Sequence, residues 1–415
     1  MAFSEQLRGG YQTILKDIDN AGLFKKERFI HSIQQADIEV EYPVGSPVRK
    51  VINMCANNYL GLSNHPEVVK AAHEALDIRG YGLSSVRFIC GTQDIHQTLE
   101  NKVTEFLGTE DTILFSSCFD ANGGVFEVIL DENDIMISDR LVHASVIDGM
   151  RLCKAQHDTY KHNDMQHLRS KLEMFKDKPR KIIITDGVFS MDGDIASLNE
   201  IVKLAEEFNA MVFVDDSHAT GFMGKTGRGI HEYHNVMGKI DIISTTFGKA
   251  LGGASGGCIS GRKEIVDLCR QRARPYLFSN TLSPTITLAT IKVLEILSRN
   301  TERRDKLEAN TRFWRKGLED MGFVLKEGDS PIIPVMLFNA KLAQDFSVEL
   351  FNEGVYAIGF FFPVVAKGQA RIRTQISAGH EMHHLEKARD VFKKVGEKLG
   401  VLGLSKDQLL EKFPV

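Results

Sequence analysis

Between residues 112 and 260, short runs of apolar and β-branched residues alternate with helical patterns. The runs are TILFS (112–116), DIMIS (134–138), KIIITD (181–186), MVFVDD (211–216), DIISTTF (241–247) and SGGCIS (255–260). Amphipathic segments such as 94–107 and 197–208 lie between them, and Ser197 with Glu200 has the spacing of a capping box. Strands that are apolar on both faces and separated by helices predict a mostly parallel sheet with helices on both faces. The predicted fold class is therefore α/β.

The pattern changes near residue 288. A long helical stretch (288–320) leads into short strand patterns at FVLKEG (323–328), IIPVML (332–337) and ARIRTQIS (370–377). The first 60 residues have the pattern of a helix and a small hairpin. We therefore predict three parts: 1–60 as an N-terminal helix and hairpin, 61–287 as a large domain, and 288–415 as a smaller α+β domain. The tail from about 403 matches no pattern that we can assign.

Charge and cysteine usage exclude several classes of protein. The net charge of −4 gives no broad attraction to nucleic acid or to an anionic membrane. None of the six cysteines forms a CxxC pair, so we expect no zinc site and a reducing compartment. The longest apolar run, at 356–366, is too short for a bilayer, and the N-terminus lacks the apolar core of a signal peptide. We expect a cytoplasmic protein with neither nucleic acid nor membrane as a partner.

Polar residues follow several of the predicted strands, where open α/β sheets bind their ligands. SSCFDANGG (116–124) is either an anion-binding helix N-terminus or an ordinary strand-to-helix turn. DDSH (215–218) could belong to a metal site, a catalytic triad or a clamp on a heteroaromatic ring, or it could cap the next segment.

Lys249 lies in STTFGKALGGASGG (244–257), after an apolar strand and before a glycine-rich turn. A lysine in such a loop is usually solvated, but one held among apolar residues has a depressed pKa and can form a Schiff base. Thr246 could add a hydroxyl to an anion site. A lysine for an imine, an aspartate for a ring nitrogen, a histidine for stacking and a phosphate nest are together what pyridoxal phosphate requires. The order Asp215, His218, Lys249, each after a strand, is more specific than any single motif.

A rival phosphate site is ATGFMGKT (219–226), which fits the loop of nucleotide hydrolases with Ala219 in place of the first glycine. That loop must continue into a long helix, and here GRG follows Thr226. We therefore interpret 219–229 as a mobile loop that leaves the site.

Five further segments carry a resemblance to a known family: CANNYLGLSNHP (55–66), SSVRFICGTQDIHQTLE (84–100), DGVFSMDGD (186–194), RPYLFSNTLSP (274–284) and KGQARIRTQISA (367–378). With the motifs above, residues from about 23 to 400 resemble the α-oxoamine synthases, fold-type-I pyridoxal-phosphate enzymes that join an amino acid to an acyl-CoA. The resemblance implies an aspartate-aminotransferase-like fold and a homodimer. The sequence SSVRFICGTQ is similar to the corresponding segment in one branch of this family. That branch interconverts glycine plus acetyl-CoA and 2-amino-3-oxobutanoate plus CoA.

The resemblance also implies roles for individual residues. The implied catalytic residues are Lys249 as Schiff base and general base, Asp215 as partner of the pyridinium, and His218 at the phenolic oxygen. The other implied contacts to the cofactor come from Ser117, Cys118, Phe119 and Thr246 at the phosphate, His143 stacked on the ring, Ser190, and Phe278 and Ser279 of a neighbouring subunit.

The amino-acid carboxylate would be held by Asn58 and Arg373, because a planar guanidinium suits a bidentate contact. Without the motif, Arg373 would be interpreted as a solvent-facing neighbour of Arg371 on an edge strand. Two alternatives stay open. One is a sister synthase that takes alanine with pimeloyl-CoA or serine with a fatty acyl-CoA, and the other is a non-catalytic subunit that kept the scaffold.

Overall fold

In the computed structural model, which describes residues 3–20 and 24–414, the strands form three sheets. The strands are β1 (Phe29–Ile30), β2 (Asp37–Glu41), β3 (Arg49–Asn53), β4 (Asp111–Phe115), β5 (Ile135–Asp139), β6 (Gln156–Tyr160), β7 (Lys181–Asp186), β8 (Met211–Asp215), β9 (Ile242–Thr246), β10 (Gly257–Gly261), β11 (Ile332–Phe338), β12 (Val355–Tyr356), β13 (Ile358–Phe360) and β14 (Ala370–Gln375).

The helices connect and cover these sheets. They are α1 (Glu5–Asn20), α2 (Pro66–Arg79), α3 (Asp94–Leu107), α4 (Cys118–Ile129), α5 (Ala144–Leu152), α6 (Met165–Met174), α7 (Leu198–Phe208), α8 (Ile230–Tyr233), α9 (Lys263–Arg272), α10 (Arg274–Phe278), α11 (Pro284–Arg299), α12 (Glu302–Asp320), α13 (Ala340–Asn352), α14 (Met382–Leu399) and α15 (Lys406–Lys412).

The large sheet has the strand order β4-β10-β9-β8-β7-β5-β6. Only β10 runs antiparallel to its neighbours, while the remaining pairs are parallel. In β7, Ile182 and Ile184 enter one apolar core and Ile183 enters the other, so both faces of the sheet are covered. The predicted α/β class and the mostly parallel sheet are confirmed.

Strand β6 was not predicted, because its sequence QHDTY is polar and mostly exposed at the edge of the sheet. The helical stretch predicted over 288–320 is two helices, α11 and α12, separated at Asn300 and Thr301. FVLKEG forms no strand beyond a single bridge between Leu325 and Val335. Ser197 is the N-cap of α7, but its side chain makes no capping hydrogen bond.

The two smaller sheets bring the ends of the chain together. The predicted N-terminal hairpin is β2 and β3, and β3 also pairs in parallel with β12 from the C-terminal part. The backbone N–H of Gln375 donates to Met54 O at 2.8 Å, and that of Ala378 donates to Tyr59 O at 2.7 Å. Segments near residues 54–59 and 375–378 are therefore one structural unit.

The boundary that the sequence suggested after residue 287 falls inside α11, which packs against α2 and α3. A division at Asn300, between α11 and α12, would keep α11 with the elements that it contacts. The three-part division remains a proposal. The tail forms α15, whose Leu409 is buried in the main core. Among the described residues, no helix is both long and apolar enough to cross a membrane.

Candidate active site

The predicted site residues gather where the parallel strands of the large sheet end. Asp215 is the last residue of β8 and Thr246 the last of β9. Lys249 lies in the turn that leads from β9 to β10. Further residues follow β4, β5 and β7 within a few positions; they are Ser117, Cys118, Phe119, His143 and Ser190. The sheet therefore brings residues from five separate motifs to one edge, as open α/β sheets do for their ligands.

Lys249 faces His218, with its Nζ 2.9 Å from Nε2 of the imidazole. Burial lowers the pKa of Lys249, against the opposing effect of the Asp215 charge. Burial also lowers the pKa of His218 well below its ordinary value, and the neighbouring charges of Lys249 and Arg373 act in the same direction. Burial therefore favours the neutral forms of both side chains, and a neutral amine is the state that a nucleophilic or basic lysine needs.

Asp215 is buried, and both of its carboxylate oxygens are hydrogen-bonded. The side-chain amide of Asn122 donates to Oδ2 at 2.8 Å, and the backbone N–H of Ser217 donates to Oδ1 at 3.0 Å. Burial, followed by the charge of Asp215, raises the pKa of the neighbouring Asp186 well above its ordinary value. The raised pKa favours the neutral form of Asp186, and the hydrogen-bonded carboxylate of Asp215 is the one with which a protonated ring nitrogen could pair.

His143 is the N-cap of α5, and its ring is fixed at one nitrogen. Its Nδ1 lies 2.7 Å from the hydroxyl of Ser145, which accepts a hydrogen bond from Asn122 at 2.9 Å. The side chain is otherwise exposed, so the face of the ring is open to a ligand. Asn122 therefore orients both Asp215 and, through Ser145, His143. The sequence prediction included Asn122 only as part of the SSCFDANGG motif and assigned it no role.

The N-terminus of α4 forms a candidate phosphate cradle. Ser117 caps the helix by accepting from the backbone N–H of Asp120 at 3.0 Å. The N–H groups of Cys118 and Phe119 have no partner within the helix because of their position in its first turn. The strand β10 passes so close that a Cβ on Gly257 would lie 2.5 Å from the backbone nitrogen of Cys118. Only glycine, which has no Cβ, fits at position 257. The N-terminus of α4 therefore stays open to an anion.

Two hydroxyls stand beside this cradle. That of Thr246 accepts from the backbone N–H of Gly248 at 3.1 Å and donates to Gly256 O at 3.2 Å. The hydroxyl of Ser279 lies 3.3 Å from that of Ser116 in the same chain. The side chains of Phe119 and Phe278 are both exposed, at 50% and 68%. The structure thus places Ser279 next to this chain's own cradle, and a contribution to a neighbouring subunit's site stays a prediction.

Arg373 is buried in the middle strand of a three-stranded sheet, because β14 lies between β11 and β13. The interpretation of Arg373 as a solvent-facing residue on an edge strand is wrong. One guanidinium nitrogen donates to Ser190 O at 2.7 Å, and the group stacks 4.6 Å from the centre of the Phe360 ring. Arg371 instead pairs with Asp192 at 2.7 Å. Arg373 is therefore the guanidinium held close to the predicted site.

The structure turns Asn58 away from Arg373. Its side-chain oxygen accepts from the backbone N–H of Ser63 at 3.2 Å, which stabilises the local turn. The preceding residue, Asn57, lies 2.8 Å from the carboxamide of Gln375, which contacts Arg373. Asn57, rather than the predicted Asn58, is therefore the asparagine near Arg373, and which of the two holds a carboxylate stays a prediction. The motif CANNYLGL does not show which of the two asparagines faces Arg373, because the direction of each side chain depends on the turn that follows.

The segment 219–229 is a compact turn rather than a mobile loop. Its residues 219–224 are buried. The carboxylate of Glu232 accepts hydrogen bonds from the backbone N–H groups of Thr226 and Arg228, at 3.0 Å each from Oε2. The helix that follows, α8, has four residues and begins after Gly229. The turn lacks the long helix that a nucleotide-binding loop requires.

The donor set fits pyridoxal phosphate. A lysine with a depressed pKa can form an imine, the buried carboxylate of Asp215 can pair with a ring nitrogen, and the exposed ring of His143 can stack on an aromatic ligand. The capped N-terminus of α4 suits the phosphate group.

Comparison with known proteins agrees with this geometry. The family model "Aminotransferase class I and II" matches residues 49–392, and the chain belongs to this family. A relative from Escherichia coli (strain K12), a 2-amino-3-ketobutyrate coenzyme A ligase, is 54% identical over 397 residues, which covers 94% of this chain and 98% of the relative. An 8-amino-7-oxononanoate synthase from Thermosipho melanesiensis is 45% identical over 395 residues, covering 94% and 99%.

Among solved structures, a variant of serine palmitoyltransferase from S. paucimobilis with a bound PLP-myriocin aldimine matches with a TM-score of 0.87. It is 29% identical to this chain and covers 94% of it, and 98% of its own chain is matched. The relatives and this neighbour confirm the predicted fold type and the predicted resemblance to the α-oxoamine synthases.

Proposed function

We propose that this chain is a pyridoxal-phosphate-dependent acyltransferase that interconverts glycine plus acetyl-CoA and 2-amino-3-oxobutanoate plus CoA. The observation that carries the proposal is the buried Nζ of Lys249, 2.9 Å from Nε2 of His218, at the edge of the sheet where Asp215 also lies. The 54% identity to a 2-amino-3-ketobutyrate coenzyme A ligase supports the choice of substrates. Cleavage of the ketoacid by CoA would place the enzyme in threonine breakdown.

The cofactor supplies, when bound, a protonated ring that draws electrons from the bonds of an attached amino acid. Asp215 would keep the proton on the ring nitrogen, and His143 would stack on the ring. The N-terminus of α4, with Thr246, would hold the phosphate. Lys249 would hold the cofactor covalently through Nζ until the amino acid replaces it, and Nζ would then accept the Cα proton of glycine.

Arg373 and Asn57 would hold the carboxylate of glycine. Because the guanidinium is buried and fixed by Ser190 O, it can orient a carboxylate without first losing side-chain freedom. A carboxylate held by a charge-assisted contact stays in place while the carbon–carbon bond forms. We therefore propose that the product keeps its carboxylate and that no CO₂ is released on the enzyme.

An assay with glycine and acetyl-CoA tests this reaction when free thiol and CO₂ are followed together. We expect thiol release to precede CO₂, because the β-keto acid product loses CO₂ only after it has left the enzyme, and we expect a yellow protein that borohydride bleaches at the Lys249 imine. The Lys249→Ala variant should lose turnover by several orders of magnitude because it lacks both the imine and the base. CO₂ released in step with thiol from the first turnover, or wild-type turnover by Lys249→Ala, would reverse the conclusion.

The second candidate is a sister synthase, favoured by the 45% identity to an 8-amino-7-oxononanoate synthase. This candidate would use the same lysine and a longer acyl donor. Comparing kcat/KM for acetyl-CoA with glycine against pimeloyl-CoA with alanine distinguishes the two, and a preference for pimeloyl-CoA would favour the sister reaction. The hypothesis of a non-catalytic subunit is disfavoured because Lys249, Asp215 and His218 are all present and in contact range of one site.

We further propose that the enzyme is a cytoplasmic homodimer. Residues 81–90 and 274–281 lie side by side, since the backbone N–H of Thr281 donates to Ser85 O at 3.2 Å. Large apolar side chains are exposed on both segments: Tyr81, Phe88, Ile89 and Phe278. We call this the 81–90/274–281 surface. Exposed apolar residues next to a site are typical of a subunit interface. The six free cysteines are compatible with a reducing compartment.

A further inference from the structure

Four buried side chains connect the proposed carboxylate site to the histidine that faces Lys249. The guanidinium of Arg373 contacts the carboxamide of Gln375 through Nη2 at 2.9 Å and Nε at 3.1 Å. The other end of that carboxamide lies 3.0 Å from the hydroxyl of Tyr59. The hydroxyl lies 2.8 Å from Nδ1 of His218. We call these residues the Arg373–His218 chain.

The directions of the first two hydrogen bonds in the Arg373–His218 chain follow from its first member, and that of the third follows from the distances around the Tyr59 hydroxyl. A guanidinium can only donate, so the carboxamide of Gln375 must present its oxygen to Arg373. Its nitrogen then faces Tyr59 and donates to the phenolic oxygen. The single proton of the Tyr59 hydroxyl has two acceptors in reach, Nδ1 of His218 at 2.8 Å and Oδ1 of Asn57 at 3.4 Å, and we assign it to the nearer one, Nδ1.

The last bond determines which nitrogen of His218 carries a proton. An Nδ1 that accepts a hydrogen bond is unprotonated, so the proton of the neutral imidazole is on Nε2. Nε2 lies 2.9 Å from Nζ of Lys249, which accepts this proton with its lone pair and is therefore an uncharged amine. Burial lowers the pKa of both His218 and Lys249, in agreement with two neutral groups.

We propose that Gln375 and Tyr59 are positioning residues that hold His218 in the Nε2-protonated tautomer, with Arg373 setting the direction of the chain. The assignment of the tautomer depends on the hydrogen bonds alone. Its role in catalysis depends on the proposed function. With the cofactor bound, the same proton would face its phenolic oxygen, and the opposite tautomer would place a lone pair there instead.

The tautomer can be measured in the full-length chain labelled with ¹⁵N in its histidine rings. Protonated and unprotonated nitrogens of a neutral imidazole have well-separated ¹⁵N shifts, and the His218→Gln variant identifies the signals of His218. We expect a protonated Nε2 and an unprotonated Nδ1. A protonated Nδ1 in the unmodified chain would overturn the proposal without any variant.

Two variants test the two positioning residues. Tyr59→Phe removes the donor to Nδ1, and Gln375→Glu replaces the N–H donor with a carboxylate that competes for the proton of Tyr59. Each should give signals of both tautomers. Tyr160→Phe, which removes the hydroxyl of another buried tyrosine, should leave the pattern unchanged. An unchanged pattern in both test variants would also overturn the proposal.

Steady-state kinetics separates this inference from the proposed function. We expect Tyr59→Phe to lower kcat roughly tenfold, the value of one hydrogen bond, with the KM for glycine changed by less than about twofold. A protein with the expected tautomer and no acyltransferase activity would refute the proposed function alone. An active protein with a protonated Nδ1 would refute the tautomer alone.

Discussion

Asn57 and Asn58 are adjacent in the chain, yet their side chains serve different parts of the protein. Asn57 lies against Gln375 and, through it, Arg373, whereas Asn58 accepts from the backbone N–H of Ser63. We expect Asn57→Ala to raise the KM for glycine roughly tenfold, because one hydrogen bond to a carboxylate is worth about 1.5 kcal/mol. Steady-state kinetics with varied glycine measures this change.

Asn58→Ala is the matched control for that prediction. It should lower the melting temperature by a few degrees through loss of the turn contact, and it should leave the KM for glycine within about twofold. An increase of KM in Asn58→Ala alone would restore the original assignment of Asn58 to the carboxylate.

His162 has a carboxylate at each ring nitrogen. Nδ1 lies 3.0 Å from Asp139, and Nε2 is hydrogen-bonded to Asp194. Burial by itself would lower the pKa of His162, but the two carboxylates raise it to about 10. Asp139 also accepts from the backbone N–H of Leu141 at 2.8 Å, and Asp194 belongs to the DGVFSMDGD segment. The imidazolium therefore ties the loop of His143 to that of Ser190.

This ion pair predicts a pH-dependent stability. The folded-state pKa is raised from 6.5, so the contribution of the imidazolium is complete below pH 6.5 and is lost as pH rises through about 10. We expect His162→Gln to lower the free energy of unfolding by on the order of 3 kcal/mol at pH 7 and by much less above pH 10. Urea unfolding at both pH values measures it, with the exposed His157→Gln as control. A difference that stays constant with pH would contradict the prediction.

The reacting groups could be predicted from the sequence, but the residues that orient them could not. Lys249, Asp215 and His218 lie in motifs in which residue type and position after a strand predict the chemistry. Asn122 is 93 positions from Asp215, and Tyr59 is 159 positions from His218. Contacts over such separations depend on how the strands and helices pack, which no local pattern encodes.

At the scale of elements, β10 and α4 approach each other closely in the site. A Cβ on Gly257 would lie 2.5 Å from the backbone nitrogen of Cys118 and 2.6 Å from its Cα. We expect Gly257→Ala to destabilise the fold by about 2–3 kcal/mol, because backbone cannot move aside as a flexible side chain can. It should also weaken retention of the cofactor on dialysis, since the N-terminus of α4 would shift.

Gly123→Ala is the control within the same helix. No atom lies within 4 Å of the position of its added Cβ. Replacing a helical glycine with alanine should stabilise the protein by about 0.5–1 kcal/mol. Unfolding in urea compares the two variants directly. Equal stability of both would show that β10 and α4 are not in close contact.

Elements with strong periodicity were predicted well, and elements defined by their neighbours were not. The helix predicted over 94–107 is α3 with the same bounds, because its apolar stripe packs into the main core. Strand β12 has two residues and exists because it pairs with β3, so its own sequence carries no signal. The break between α11 and α12 has a local cause that the prediction of one helix over 288–320 missed, since the side-chain oxygen of Asn300 accepts from the backbone N–H of Glu302 at 3.2 Å.

At the scale of the whole molecule, the 81–90/274–281 surface is the expected interface of the homodimer. Ile89 is 69% exposed and Phe88 61% exposed, which is costly for apolar side chains in water. We expect Ile89→Asp to shift the protein to a monomer in light scattering and to reduce turnover at least tenfold, because the partner is proposed to complete the site.

Met174→Asp is the matched control, since Met174 is 67% exposed at the end of α6. This variant should keep the mass and turnover of the unmodified protein. A monomeric unmodified protein with full turnover would contradict the homodimer, and a dimeric Ile89→Asp would place the interface elsewhere.

The pairing of β3 with β12 has a consequence for the order in which the parts of the site are synthesised on the ribosome. Asn57 and Gln375 are 318 positions apart, and the large sheet with Lys249 is synthesised between them. While the large sheet is being synthesised, Arg373 and Gln375 are not yet part of the chain. Asn57 and Tyr59 therefore cannot yet contact them. A nascent chain that already contains Lys249 therefore lacks Arg373, which is proposed to hold the carboxylate of the amino acid. We therefore expect substrate recognition to begin only when translation has nearly finished.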